Sequence, residues 1–344
     1  MQKKQSIYKK IFSIENEGMR KIITLFGVKL KFKLQRLINR THDYDLENIH
    51  YELYKLRREY QYKIHKYCPK EQRCAMLCDW FFEKTGEILN LDNPKTFNEK
   101  IQWMKLYDST PIKTQLADKY LVRDWVKEQI GEEYLIPLLG VWDNFDDIDF
   151  DKLPQKFVLK CNHGCKYNII VKDKNALDIE ETKIQVNNWM YEDFAFVNGF
   201  QMHYSPIPHK IIAEEYIENN YNDLYDYKFW CFDGRVEYIQ FLAERNCGGL
   251  KGAFYDRNWV RQEFVSNPYD MTNIKKPDNL DKMIELAQKL SQGFNYVRVD
   301  FYRLNNGKIY FGEMTFTPAS GRMKWNPEKY NMIMGEKIHI NNKR

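Results

Sequence analysis

Apolar positions along the chain fall into two kinds of spacing. Val28-Lys-Leu-Lys-Phe-Lys33 alternates strictly, so one strand face carries Val28, Leu30 and Phe32 and the other carries three lysines. From Asp43 to about Asn90 the spacing is helical, and the run closes near Leu91-Asp-Asn-Pro94. The stretch Phe97–Tyr107 places Phe97, Ile101, Met104 and Trp103 or Leu106 on one helix face, and a further helix runs from Asp118 to about Gln129. Beyond it, apolar runs at 134–141, 156–160, 210–217, 228–232, 236–242, 296–304 and 308–315 alternate with helical stretches near 180–194 and 280–290. That order predicts an α+β fold with antiparallel hairpins in its second half, unlike a repeating βαβ sheet.

The chain has 344 residues, 43% of them hydrophobic, which is enough to bury a sizeable core. Its 53 basic residues against 48 acidic ones are interspersed, so net charge gives no reason to expect a nucleic-acid partner. Residues 1–40 are the most basic part, and the lysine face at 28–33 reads either as a docking surface for an anionic membrane or partner or as a solvated edge strand. Seven scattered cysteines without a CxxC pair fit a reduced cytoplasmic setting, and no run is long and apolar enough to span a membrane. Cys74, Cys78 and nearby His65 have a spacing that ordinary helix packing also produces, so they are not read as a zinc site.

The chemistry is concentrated in 295–315. Two alternating runs flank Asn306-Gly307, a strong hairpin signal. If that pair is a two-residue turn, Asp300 lies opposite Glu313 and Arg298 opposite Thr315, with all four side chains on one face. Two carboxylates about 5 Å apart at their Cβ atoms repel unless water screens them, one is protonated or a cation bridges them. A hard divalent cation held jointly with substrate phosphates resolves the conflict; a solvated hairpin face is the plain alternative.

Three other segments add to this. Phe157-Val-Leu-Lys160 is a strand ending in lysine, and it enters the loop 161–168 containing Gly164, where a lysine and free backbone N–H groups can hold phosphate oxygens, although a simple hairpin also reads this way. Ile211-Ile-Ala-Glu-Glu-Tyr-Ile217 is an apolar strand broken by two acids, so one of Glu214 and Glu215 faces inward, either toward a nucleoside or toward a lysine. Asp226 and Lys228 share one strand face, with Phe229 and Cys231 on the other.

In this order the landmarks NPKTFNEKIQWMKLYD, ADKYLVRDWV, FVLKCNHG, IIAEEYI, DYKFWCFDG, RVDFY and FGEMTFTPASG, over about 93–325, resemble the TupA-like branch of the ATP-grasp superfamily, associated with teichuronopeptide and capsule assembly. The segment at 11–33 likewise resembles the N-termini of bacterial surface-polysaccharide enzymes. The resemblance implies an ATP-grasp fold, ATP and Mg²⁺ as cofactors, and carboxylate–amine ligation through an acyl phosphate. The charge of 1–40 reads as a docking segment and the helical spacing as an appendage at 41–110, and the resemblance implies ATP-grasp subdomains at 111–210 and 211–344. Residue by residue, it implies that Lys119 and Lys160 contact phosphates, that Glu214, Glu215, Tyr216 and Ile217 form the adenine hinge, and that Asp226 binds ribose. Asp300 and Glu313 then match the metal carboxylates, Arg298 faces the acyl phosphate, and Lys228 faces the phosphates or the acceptor. Thr315 stands where the superfamily usually has asparagine, and Thr317–Gly321 lines the carboxylate substrate.

The expected substrates are a uronic acid, free or as a sugar nucleotide or polysaccharide precursor, and a small amine. The enzyme is expected in the cytoplasm, peripheral to the inner face of the membrane or to a capsule assembly complex. A sugar-nucleotide glycosyltransferase is the alternative, since DxD triplets occur at Asp43–Asp45, Asp147–Asp149 and Asp149–Asp151, and a non-catalytic scaffold is a third reading. Excluding water from an acyl phosphate calls for a cover, for which 162–166 and 247–252 are the expected segments.

Overall fold

The computed structural model describes residues 12–17, 20–25, 28–33, 46–218, 224–243, 251–265 and 274–340, with only the backbone described before residue 55. Two compact units result: residues 1–90 with 196–200, and residues 91–195 with 201–344.

The smaller unit holds an antiparallel meander of β1 (Phe12–Glu17), β2 (Arg20–Leu25) and β3 (Val28–Lys33), then helices α1 (Leu46–Lys66) and α2 (Arg73–Thr85). Helix α2 buries Met76, Leu77, Trp80 and Phe81, a three-to-four spacing that defines its apolar face. His65 is a satisfied core histidine, its Nδ1 lying 3.2 Å from the carbonyl of Phe196 and its ring tilted on Phe200. Among the described residues no group of three His, Cys, Asp or Glu side chains could hold a metal, and Cys74 and Cys78 are half-buried thiols.

The larger unit carries two antiparallel sheets. The first has the order β4 (Leu138–Trp142), β7 (Ile211–Glu215), β5 (Phe157–Cys161), β6 (Asn168–Val171). The second has the order β10 (Lys251–Asp256), β9 (Arg235–Ala243), β8 (Tyr225–Phe232), β11 (Tyr296–Arg303), β12 (Ile309–Thr315). Helices α3 (Phe97–Tyr107), α4 (Pro111–Ala117) and α5 (Val122–Gln129) precede the first sheet, and α6 (Ile179–Tyr191) follows β6; α7 (Leu280–Ser291) precedes β11, and α8 (Lys329–Glu336) follows β12.

Strand alternation in the second sheet separates core from chemistry. Tyr227, Phe229 and Cys231 of β8 and Val297, Val299 and Phe301 of β11 join Leu280, Met283, Leu286, Ala287 and Leu290 of α7 in one buried cluster. The alternate residues Asp226, Lys228, Arg298 and Asp300 therefore lie on the opposite face.

The division differs from the one expected at 110 and 210. Helix α3 belongs to the larger unit, where Phe97 and Ile101 are fully buried and Lys100 donates to the carbonyls of Gly335 and Ile338, each at 2.8 Å. Strand β7 pairs with β4 and β5, so it closes the first sheet. Strand β10 begins inside the 247–252 segment expected as a cover, and residues 247–250 of that segment lie outside the described residues. No helix among the described residues is long and apolar enough to cross a membrane.

Candidate active site

The hairpin reaches the expected pairing by an unexpected route. The loop has three residues, Asn305 to Gly307, closed by Leu304 N–H donating to the carbonyl of Lys308 at 2.8 Å and Gly307 N–H donating to that of Leu304 at 2.9 Å. Gly307 takes φ +86°, the left-handed position such loops require. Counting outward from it pairs Arg303 with Ile309 and Phe301 with Phe311, one residue off the two-residue register. A bulge at Gly312 then inserts one residue, restoring Asp300 opposite Glu313 and Arg298 opposite Thr315.

Arg298 is the centre of the resulting cluster. Its Nε donates to Asp300 Oδ1 at 2.7 Å, and its terminal nitrogen donates to Asp300 Oδ2, Glu313 Oε1 and Thr315 Oγ1 at 2.7, 2.8 and 3.0 Å. Thr315 donates its hydroxyl to Glu313 Oε1 at 2.8 Å. From β8, Lys228 donates to Asp300 Oδ2 and pairs with Asp226 Oδ2 at 2.8 Å. Burial opposes the charge on Glu313, yet Arg298, Lys228 and Lys119 hold its carboxyl down to about 2. Burial pushes the Asp300 carboxyl up, against Arg298 and Lys228. Burial alone would weaken the Arg298 charge, but Asp300 and Glu313 raise its pKa.

Two carboxylates on facing strands, beside a hydroxyl and with no third acid completing a protein-only cage among the described residues, fit a hard divalent cation that shares its coordination with substrate phosphates. The Glu313 side chain is 36% exposed, so the set reaches solvent through Glu313, while the Asp300 side chain is buried.

The first sheet brings cations to the same region. Lys119, in the turn between α4 and α5, donates to the carbonyl of Gly164 in the loop after β5, and its charge reaches Glu313. In that loop, desolvation by the surrounding residues and then Glu313 push the Cys165 thiol up. Lys160 at the end of β5 pairs with Glu214 Oε2 at 2.5 Å. Of the two adjacent acids, Glu214 is buried and Glu215 exposed, while Tyr216 and Ile217 follow half-buried. The ion-pair reading of Glu214 is the one the structure contains, and the contact to Lys160 holds it beside β5.

Two participants were not singled out from the sequence. Arg123 of α5 donates to Glu214 Oε1 at 3.0 Å and to the carbonyl of Ile136 at 2.9 Å, so Glu214 is clamped by two cations. Asn162 donates to Asp118 Oδ2 at 2.8 Å and to the carbonyl of Pro208 at 2.9 Å, and accepts from Lys210 N–H at 2.7 Å. Its carbonyl also accepts from Lys119 N–H at 2.9 Å, so the root of the 162–166 loop is pinned to two other segments, 118–119 and 208–210. The ADKYLVRDWV and FVLKCNHG landmarks contain both residues, but one strand or helix alone gives no sign that they meet.

His163 supports the loop. Its Nε2 lies 3.0 Å from the carbonyl of Trp189 and its ring stacks on His209 at 3.6 Å; burial, then His209, bring its pKa down to about 4. Residues 147, 149 and 151 lie in or beside the short 3-10 turns Phe145–Asp147 and Phe150–Lys152, with Asp149 paired to Lys152, and Asp43 and Asp45 lie outside the described residues.

Residues 99–339 match the family model described as TupA-like ATPgrasp. No curated protein matches the chain. Among solved structures, it is similar to D-alanine–D-alanine ligase from Bacillus anthracis complexed with ATP, at 17% identity and TM-score 0.37, covering 59% of this chain and 55% of that one. It is also similar to L-amino acid ligase from Bacillus licheniformis, at 16% and 0.40, covering 65% and 49%. A third is N5-carboxyaminoimidazole synthetase from Staphylococcus aureus complexed with ADP, at 15% and 0.39, covering 72% and 60%. The chain thus spans about half to three-fifths of the length of these proteins. The match over 99–339 means that the chain belongs to the TupA-like ATP-grasp family.

Proposed function

We propose that the protein is an ATP- and Mg²⁺-dependent ligase joining an amine, either an amino acid or an amino alcohol, to the carboxylate of a uronic acid carried by a sugar nucleotide or polysaccharide precursor in bacterial capsule assembly. The observation that carries the reading is the Arg298–Asp300–Glu313–Thr315 face with Lys119 close enough to act on Glu313. The family match supports the ATP-grasp ligase part of this reading.

A carboxylate and a γ-phosphoryl group are both anions, so transfer between them needs cations placed where charge accumulates. Lys119 and Lys160, with the backbone around Gly164, neutralise the phosphates; Asp226 takes the ribose, and Glu214, Glu215, Tyr216 and Ile217 the adenine. Asp300 and Glu313, beside Thr315, would hold Mg²⁺, which when bound adds charge neutralisation at the phosphates. The substrate carboxylate oxygen attacks the γ-phosphorus, the bond to ADP breaks, and an acyl phosphate forms. The amine nitrogen then attacks the acyl carbon, phosphate leaves and the nitrogen loses a proton. Arg298 stabilises the tetrahedral oxyanion, Lys228 orients the phosphates or the acceptor, and Thr317–Gly321 lines the carboxylate substrate. A cytoplasmic enzyme, peripheral to the membrane through its basic N-terminus, meets both ATP and sugar nucleotides.

The test is to incubate the protein with ATP, Mg²⁺, UDP-glucuronic acid and a panel of amino acids and amino alcohols, following ADP release and product mass. ADP release that needs both a uronic acid and an amine, with the condensed mass present, is the expected result. Absence of ATP binding and turnover would overturn the reading, and ATP binding without turnover on any uronic acid would overturn its substrate class.

A further inference from the structure

The motif NPKTFNEKIQWMKLYD has no part in the nucleotide site, yet the helix it forms is polar where it should be apolar. On α3, Asn98, Gln102 and Lys105 follow one another at four- and three-residue spacing, which is one helix face. All three are buried, at 3%, 0% and 0% exposure. A buried amide or ammonium is destabilising unless it is bonded, so a stripe of three needs a structural reason.

Each of them bonds the backbone that follows β12. Asn98 donates to the carbonyl of Met323 and accepts its N–H, both at 2.9 Å. Gln102 donates to the carbonyls of Ser320 and Gly321, both at 2.9 Å. Lys105 donates to Gln102 Oε1 at 2.8 Å, to Ser320 Oγ at 3.1 Å and to the Ser320 carbonyl at 3.3 Å. The segment they grip is strained, with Ala319, Ser320 and Gly321 all left-handed at φ 48°, 55° and 68°. Two non-glycine residues in succession there are strained and persist only where the surroundings enforce them. A Cβ on Gly321 would lie 2.6 Å from Gln102 Nε2 and 3.0 Å from Ile101, so the turn is pressed directly against α3. At its other end, Thr317 donates to Gln201 Oε1 at 2.6 Å.

We infer that Asn98, Gln102 and Lys105 are positioning residues that mould the left-handed turn 319–321 into the wall of the carboxylate-substrate subsite, four residues beyond Thr315. This rests on the ligase reading for what the turn binds, and on the hydrogen bonds alone for what holds it. Burial, with Arg322 next, depresses the Lys105 pKa well below the usual lysine range.

The experiment compares wild type with Lys105→Met, which keeps the length and removes the donors, and Gln102→Met. Hydrogen exchange is read peptide by peptide, nucleotide affinity by titration with ADP and Mg²⁺, and KM and kcat with whichever panel uronic acid turns over. Expected are faster exchange confined to 317–324, ADP affinity within about twofold, and a rise in uronic acid KM of about tenfold or more with a smaller change in kcat. Unchanged exchange at 317–324 overturns the clamp whether or not turnover is found. Faster exchange there with an unchanged KM overturns the assignment of the turn to the substrate. A wild type that accepts no uronic acid overturns that assignment through the ligase reading, and exchange still decides the clamp. Should Lys105→Met fail to fold, Gln102→Met carries the same measurements.

Discussion

Replacing Arg298 with methionine removes four hydrogen bonds at once. Asp300 keeps Lys228, but Glu313 keeps only the Thr315 hydroxyl among the partners described for Oε1. Breaking a buried ion-pair network by deleting one member costs about 3–5 kcal/mol. The Glu313 part can be judged separately. A carboxyl lowered from 4.5 to about 2 corresponds to about 3 kcal/mol if unscreened, and with 36% of the side chain exposed we discount this to on the order of 1–2 kcal/mol. The sign is that of a depressed acid: the stabilisation is fully present above the unfolded pKa near 4.5 and is lost as pH falls through 4.5 toward 2. The assay is urea unfolding of wild type and Arg298→Met from pH 7 down to about 2.5. The wild-type advantage should be about 3 kcal/mol or more at pH 7 and narrow below pH 4.5. Arg298→Lys keeps the charge and loses the fork, so it should fall between the two. A difference below about 0.5 kcal/mol at pH 7, or one that is flat across the acid range, would refute the account of Arg298 as the keystone of the cluster.

Ala at Lys119 or Lys160 should weaken ATP binding about 10–100-fold in a nucleotide titration, with Glu214 still bonded to Arg123 in the second case. Glu214→Gln should destabilise the first sheet by about 1–3 kcal/mol, read by thermal or urea unfolding, because Arg123 and Lys160 lose their shared carboxylate. EDTA should abolish ATP turnover, reversibly on adding Mg²⁺, yet leave the melting temperature of the nucleotide-free protein unchanged, since Arg298 and Lys228 already neutralise Asp300. His163, held down to about 4, should contribute stability above pH 6.5 that is lost as pH falls toward 4, and His163→Phe should flatten that part of the melting profile.

Much of the site was legible because its strands alternate. Once Asp226 and Lys228 share one face of β8, and Arg298 and Asp300 one face of β11, the apolar residues between them dictate which side meets α7. The Asp300–Glu313 pairing was reached through two deviations that cancel, a three-residue loop and the bulge at Gly312, neither of which hydrophobic pattern can distinguish from a two-residue turn. Arg123 and Asn162 were hidden for another reason: each works on a residue far along the chain, 91 positions away for Arg123 and Glu214. The α3 stripe was hidden because a buried Asn, Gln and Lys read as the wet side of an amphipathic helix until the opposing backbone is seen. Residue Glu214 shows the same limit, since its strand required one acid to face inward without saying which cation it would meet.

The most direct measurement uses a uronic acid labelled with ¹⁸O in its carboxylate, turned over with ATP, Mg²⁺ and an amine. One labelled oxygen should appear in the inorganic phosphate for each amide formed, with ADP as the nucleotide product, because the carboxylate oxygen attacks the γ-phosphorus and leaves with it. Unlabelled phosphate, or release of AMP and pyrophosphate, would contradict an acyl phosphate route and with it the roles given to Lys119, Lys160 and Arg298.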